Sequence, residues 1–115
     1  MAVYDPSVIS PEDALRCHLL TIAGVTARSV PWELSEFAVG VFAYRELADG
    51  GYVHALVEWQ PLSLPNYRAR VLVKDGDGSV EVYTETDDDA AKLLIRASAA
   101  FTLAEDIATI MPRGK

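Results

Sequence analysis

The chain has 115 residues, half of them hydrophobic, and a formal net charge of −7. That length suits one domain with a core of its own, and that hydrophobic share excludes an intrinsically disordered chain. The acidic balance argues against a general binder of nucleic acid or of anionic membranes. A single cysteine, Cys17, excludes an intrachain disulfide framework and a CxxC metal or redox motif. The first ten residues, MAVYDPSVIS, show no positive n-region and no long apolar run, so no signal peptide is read and a cytoplasmic location is expected. No apolar run is long enough to span a bilayer.

In chain order, residues 1–9 read as an extended lead-in. Ser10-Pro11-Glu12-Asp13 is a helix start: a capping hydroxyl, proline at the first helical position, and two acids near the positive end of the dipole. The helix is expected to run to about Ala23 and stop at Gly24. Leu15, Leu19 and Ile22 would form its buried stripe, with Ala14 and His18 beside it. Residues 25–36 read as a connection anchored by Trp32. Residues 37–47, FAVGVFAYREL, admit a helix, with Leu34, Phe37, Ala38 and Val41 on one face. Gly40, the valines and the following Asp49-Gly50-Gly51 turn favour a strand paired with residues 52–59, YVHALVEW. The expected register pairs Leu47 with Tyr52, Tyr44 with Ala55, Phe42 with Val57 and Gly40 with Trp59. That register leaves Val39, Val41, Ala43 and Leu56 beside Arg45, His54 and Glu58 on the outer face, too apolar for a fully solvated surface.

After a two-proline connector, residues 67–85 form the clearest hairpin, with Asp75-Gly76-Asp77-Gly78 as its loop. Lys74 would face Ser79. Val73/Val80, Val71/Val82 and Ala69/Thr84 would line one face; Leu72/Glu81, Arg70/Tyr83 and Arg68/Glu85 would line the other. Thr86 is expected to cap a final helix with Asp87, Asp88 and Asp89 in its first turn. Its stripe is Ala90, Leu94, Ala97, Phe101, Ala104, Ala108 and Met111, with a possible restart at Thr102 and an end before Pro112. Residues 112–115 read as a frayed tail. The result is a single α+β domain over 1–115: a two-layer sandwich of order α-β-β-β-β-α, a four-stranded antiparallel sheet of two hairpins with both helices on one face.

Chemistry-bearing motifs are sparse. Cys17 and His18 are adjacent on a helix and point apart, and Cys17 reads as a small, partly buried residue. The Asp75–Gly78 turn lacks the glycine and closing glutamate of a calcium loop. Three consecutive aspartates diverge around a helix and make a poor chelate. No phosphate loop, nucleophile elbow or HExxH helix occurs. A double-stranded-RNA-binding arrangement would need a basic start to the last helix, where this chain has Asp87–Asp89. No catalytic, metal or cofactor site is therefore expected.

The leading expectation is a non-catalytic interaction or assembly protein, acting as a homo-oligomer or as an adaptor. Val39, Val41, Leu56, Arg45 and His54 would form the interface. Small α+β units also serve as ring-forming joints in multiprotein assemblies, viral ones included, an analogy of fold alone. A second expectation is an acidic inhibitor that fills the basic groove of a nucleic-acid-handling protein through Glu81, Glu85, Asp87, Asp88 and Asp89. A third is a small-ligand binder with a pocket lined by Trp32, Trp59, Tyr44 and His18.

Overall fold

A computed structural model describes residues 10–48, 50–61, 65–75 and 78–110. The lead-in, the tail, Met111 and the hairpin tip Gly76-Asp77 lie outside them. The first helix, α1, covers Pro11–Thr26, and the Ser10 hydroxyl accepts the Asp13 amide at 3.1 Å. It continues through Gly24 because a mid-helix glycine costs only about 1 kcal/mol, while Ala23 and Ala27 on either side are buried. Leu19 and Ala23 are the fully buried positions of α1. Leu15, Arg16, Leu20 and Ile22 are partly buried, whereas Ala14 and His18 are exposed. The buried stripe is therefore rotated away from the expected His18 side.

Five strands follow: β1 Glu33–Leu34, β2 Gly40–Glu46, β3 Tyr52–Trp59, β4 Tyr67–Asp75 and β5 Gly78–Asp87. They form an antiparallel meander in the order β1-β2-β3-β4-β5, and helix α2 covers Ala90–Ile110. The α+β two-layer reading holds. β1 is an addition, a two-residue edge that pairs Glu33 with Phe42 and Leu34 with Val41. Both helices lie on one face, α1 over β1 and β2, α2 over β3 to β5.

The β2–β3 register differs from expectation by one residue. Gly40 pairs with Glu58, Val41 with Val57, Phe42 with Leu56 and Ala43 with Ala55. A one-residue slip turns every side chain to the other face. Val41, Ala43, Val53, Ala55 and Val57 are consequently fully buried under the helices. Small side chains there let the helices sit close to the sheet, and the aromatic rings of Phe42, Tyr44 and Tyr52 go to the opposite side.

The β4–β5 hairpin keeps its expected register near the turn: Lys74 faces Ser79, Val73 faces Val80 and Leu72 faces Glu81. Then Val71 pairs with Tyr83, leaving Val82 as the extra residue of a β-bulge. The expected Val71/Val82, Ala69/Thr84, Arg70/Tyr83 and Arg68/Glu85 pairs give way to Ala69/Glu85, Arg70/Thr84 and Arg68/Thr86. The bulge brings Tyr83, Glu85 and Asp87 to the helix side, where Arg96 of α2 meets Glu85 at 3.0 Å and Asp87 at 2.5 Å. β5 runs through Asp87, so Thr86 is a strand residue rather than a cap. Asp89 is the cap: its carboxylate accepts the Lys92 amide at 3.2 Å and its carbonyl accepts the Leu93 amide at 3.1 Å. α2 passes Thr102 without a break. Ala90, Leu94, Ala97, Phe101 and Ala104 are buried as expected, joined by Leu93. Trp32 anchors the connection: its buried indole N–H donates to the Ser98 hydroxyl at 2.9 Å. No described helix is long and apolar enough to cross a membrane.

Candidate functional site

Among the described residues the sheet has helices on one face only, and its other face is built from the residues that those helices do not use. Phe42 and His54 stack with centroids 6.0 Å apart, and Tyr44 and Tyr52 approach to 4.9 Å. Leu56 and Leu72 adjoin them in register. Beyond Leu56 the face becomes ionic, with Glu58–Arg68 at 2.7 Å and Arg70–Glu81 at 2.6 Å. The open face is thus apolar over β2 and the adjoining half of β3, and charged toward β4 and β5.

At the apolar end, the loop between β1 and β2 rises beside the sheet. The Ser35 hydroxyl accepts the amides of Phe37 at 3.3 Å and Ala38 at 3.0 Å. The Ser35 amide donates to the Gly40 carbonyl at 3.1 Å. From the helix layer, Arg16 Nε donates to the Ala38 carbonyl at 3.1 Å. The loop is pinned at both ends of its turn, yet Phe37 at its tip is 100% exposed. Phe37, Leu34, Ala38, Phe42, His54 and Leu56 enclose a cleft of about 520 Å³, with Glu33 and Glu36 at its rim. Burial lowers the His54 pKa, and the Arg70 charge lowers it further, so His54 is neutral at pH 7 and compatible with an apolar ligand surface.

The five expected interface residues do not share a face. His54 and Leu56 lie on the open face and line the cleft. Val41 is fully buried in the core, and a charge there would unfold the domain rather than disrupt association. Val39 precedes β2 and is half-buried; its carbonyl accepts the Trp59 amide at 2.9 Å. Arg45 is on the helix side, 2.9 Å from Glu105 of α2. The register slip accounts for the split, because it exchanged the two faces of β2. Reasoning from sequence missed Phe37 and Phe42. Phe37 carries a signal, an aromatic between Ser35 and Gly40 ahead of the strand, which both the helix and the strand reading of residues 37–47 absorb into a regular element.

The acidic residues are likewise engaged within the domain. Glu81 pairs with Arg70, and Glu85 and Asp87 both pair with Arg96. Asp88 accepts the Asn66 amide at 2.8 Å, and Asp89 caps α2. The Asp87 carboxyl is held below its usual range by the Asp89 amide and then by Arg96. Tyr83 donates to Glu85, and burial together with that carboxylate pushes its phenol up to about 12. Tyr83, Glu85 and Asp87 with Arg96 join β5 to α2, Glu81 joins β5 to β4, and Asp88 holds the segment before β4.

The proposed aromatic pocket is also divided. Trp32 is buried beneath the helices, whereas Tyr44 is on the open face. Trp59 and His18 both line a shallow groove with Pro11 and Leu15. Cys17 is exposed on α1, across the sheet from His54. Among the described residues, no group of three or more His, Cys, Asp or Glu could hold a metal ion. Comparison with known proteins adds no relative: no family model, no curated protein and no solved structure matches the chain.

Proposed function

We propose that the chain is a non-catalytic interaction module that docks a protein partner in the cleft on its open sheet face. One observation carries this reading: Phe37, wholly exposed on a loop fixed by Ser35 and Arg16, at the mouth of an apolar cleft. Burying a phenylalanine side chain is worth about 1.5–3 kcal/mol. A ring pre-positioned outside the core is a ready anchor, since aromatic side chains in desolvated pockets dominate interface energies. Holding the loop in advance reduces the entropic cost of binding. Glu33 and Glu36 at the rim favour a partner segment whose apolar anchor is flanked by basic residues.

Selection from a random peptide library displayed on phage tests this. The expected result is enrichment of peptides with an aromatic or aliphatic residue beside Lys or Arg. Their affinity by calorimetry should fall at least tenfold, about 1.4 kcal/mol, in Phe37→Ser and in Leu56→Glu. Absence of enrichment, or peptides that bind both variants as well as the original chain, would refute docking at this cleft. The docking reading is preferred to the acidic-inhibitor reading because Glu81, Glu85, Asp87, Asp88 and Asp89 each have a partner within the chain, although the net charge of −7 remains.

A further inference from the structure

Helix α2 has two apolar faces. One packs on the sheet through Leu93, Leu94, Ala97 and Phe101, all essentially inaccessible. The other holds Ile95, Ala99, Leu103 and Ile107 at steps of four residues, and all four are exposed, Leu103 by 59%. A helix lying on a sheet needs one apolar stripe, and its opposite face is ordinarily polar.

The charges on this outer face are arranged symmetrically. Lys92 comes seven residues before Ala99 and Asp106 seven residues after it. Seven residues fall about 20° short of two full turns, so Lys92, Ala99 and Asp106 lie nearly on one line along the helix, all exposed. Ile95 and Leu103 flank that line at four residues on either side of Ala99. Among the described residues, neither Lys92 nor Asp106 has an ion-pair partner within 4.0 Å, as is also true of Arg28 and Lys74; the Lys92 charge acts within the chain only as the weakest of the influences that lower the Asp87 pKa.

We propose that two copies of the chain associate through this face of α2, antiparallel about a two-fold axis at Ala99. Such an axis sets each residue after Ala99 level with the residue equally far before it on the second copy. Lys92 then stands level with Asp106 of the second copy, and Asp106 with its Lys92, giving two opposite-charge pairs about 10 Å either side of the axis. Ile95 stands level with Leu103 of the second copy, and the small Ala99 at the centre lets the helices approach to about 8 Å. A parallel pairing would set lysine against lysine and aspartate against aspartate. The charge pattern therefore selects both the orientation and the occupant, since a second copy carries the complementary arrangement by symmetry. The sheet lies on the opposite side of α2 from this face, so the dimer turns its two open sheet faces away from each other. The dimer rests on the α2 pattern alone; its use as a two-sided adaptor rests on the docking reading above.

The test is sedimentation equilibrium of the full chain across the micromolar range, where an interface at the small end of the usual size range dissociates. Lys92→Asp and Asp106→Lys each create like-charge pairs and should raise the dimer dissociation constant at least about tenfold. The double variant K92D/D106K reverses both pairs and should restore the original value. Leu103→Asp should be monomeric. All three positions are exposed, and far-UV circular dichroism with urea midpoints confirms that each variant is folded. The proposal is overturned by a chain that stays monomeric throughout, by a dimer indifferent to Leu103→Asp, or by a double variant as weak as the single ones. Self-association abolished by Phe37→Ser but not by Leu103→Asp also overturns it and assigns the contact to the sheet face. Peptide binding at the cleft is scored separately, so either reading can fail without the other.

Discussion

Replacing Gly40 by alanine tests the β2–β3 register and the loop that it supports. A Cβ at Gly40 would stand 2.0 Å from the Val57 carbonyl oxygen, 2.8 Å from Glu58 Cα and 2.9 Å from the Val57 carbonyl carbon. All three are backbone atoms of the central strand β3, so no side chain can rotate away. β2 must retreat from β3 by more than an ångström. Overpacking of this kind costs about 1–3 kcal/mol when side chains can adjust, and backbone against backbone belongs at the upper end. The retreat also strains two bonds at the same spot, Trp59 amide to Val39 carbonyl at 2.9 Å and Ser35 amide to Gly40 carbonyl at 3.1 Å, each worth about 1 kcal/mol. The expected loss is about 3–5 kcal/mol, a large share of the 5–15 kcal/mol available to an ordinary domain. Equilibrium urea unfolding measures it, with Gly24→Ala as the control. In α1 a Cβ at Gly24 meets nothing within 4 Å, and alanine is favoured over glycine by up to about 1 kcal/mol in a helix. The two glycine-to-alanine changes should shift stability in opposite directions. A Gly40→Ala variant within 0.5 kcal/mol of the original, roughly the effect of a neutral surface change, would refute this register.

Two further outcomes follow from single contacts. Trp32→Phe leaves the buried Ser98 hydroxyl without its indole donor and should cost about 1–3 kcal/mol in urea unfolding; adding Ser98→Ala should recover part of that loss, and a double variant no better than Trp32→Phe would argue against the hydrogen bond. The folded pKa of His54 lies below that of the unfolded chain, through burial and then Arg70, so the unfolded state binds the proton more readily. Stability from this site is complete above about pH 6.5 and declines as the pH falls below it, the decline ending once the folded pKa is passed. Urea midpoints at pH 7.5 and 5 should differ more for the original chain than for His54→Gln, and equal differences would contradict the assignment.

The two helices, the four long strands and the register beside the β4–β5 turn were legible because each rests on local signals: a Ser-Pro cap, alternating runs, and glycine beside aspartate. What sequence did not reveal depends on contacts between distant segments. Both faces of residues 40–46 are apolar, Val41 and Ala43 on one and Phe42 and Tyr44 on the other, so hydrophobicity could not decide which one faces inward. Size decides it: the helices lie over Val41, Ala43, Ala55 and Ala69, all fully buried, and rings in those places would hold them off. The bulge at Val82 left one local trace, the adjacent apolar pair Val82-Tyr83 that breaks the alternation begun at Val80, but a tyrosine suits either face of a strand and the break passes for continued alternation. Its cause lies in α2, where Arg96 gathers Glu85 and Asp87 once they are turned to the helix side. Thr86, ahead of Asp87, Asp88 and Asp89, carries the local signature of a cap. The pairing of Asp87 with Tyr67 extends the strand and leaves Asp89 at the helix start.

The same close approach links the fold to the candidate site. Because Gly40 has no side chain, β2 begins in contact with the Val57–Glu58 backbone, and the chain before it can fold back so that Ser35 bonds to Gly40 and caps the turn carrying Phe37. Arg16 then ties that turn to α1, the helix that covers β1 and β2. The backbone that carries the exposed ring is thus tied to the sheet through Ser35 and Gly40 and to the helix layer through Arg16. A site fixed in this way gains affinity from preorganisation rather than from area, which suits a cleft of about 520 Å³. It also places the proposed docking cleft and the outer stripe of α2 on opposite sides of the two-layer sandwich. Occupation of either surface leaves the other accessible, the geometry required of a module that joins two copies of itself to two copies of something else.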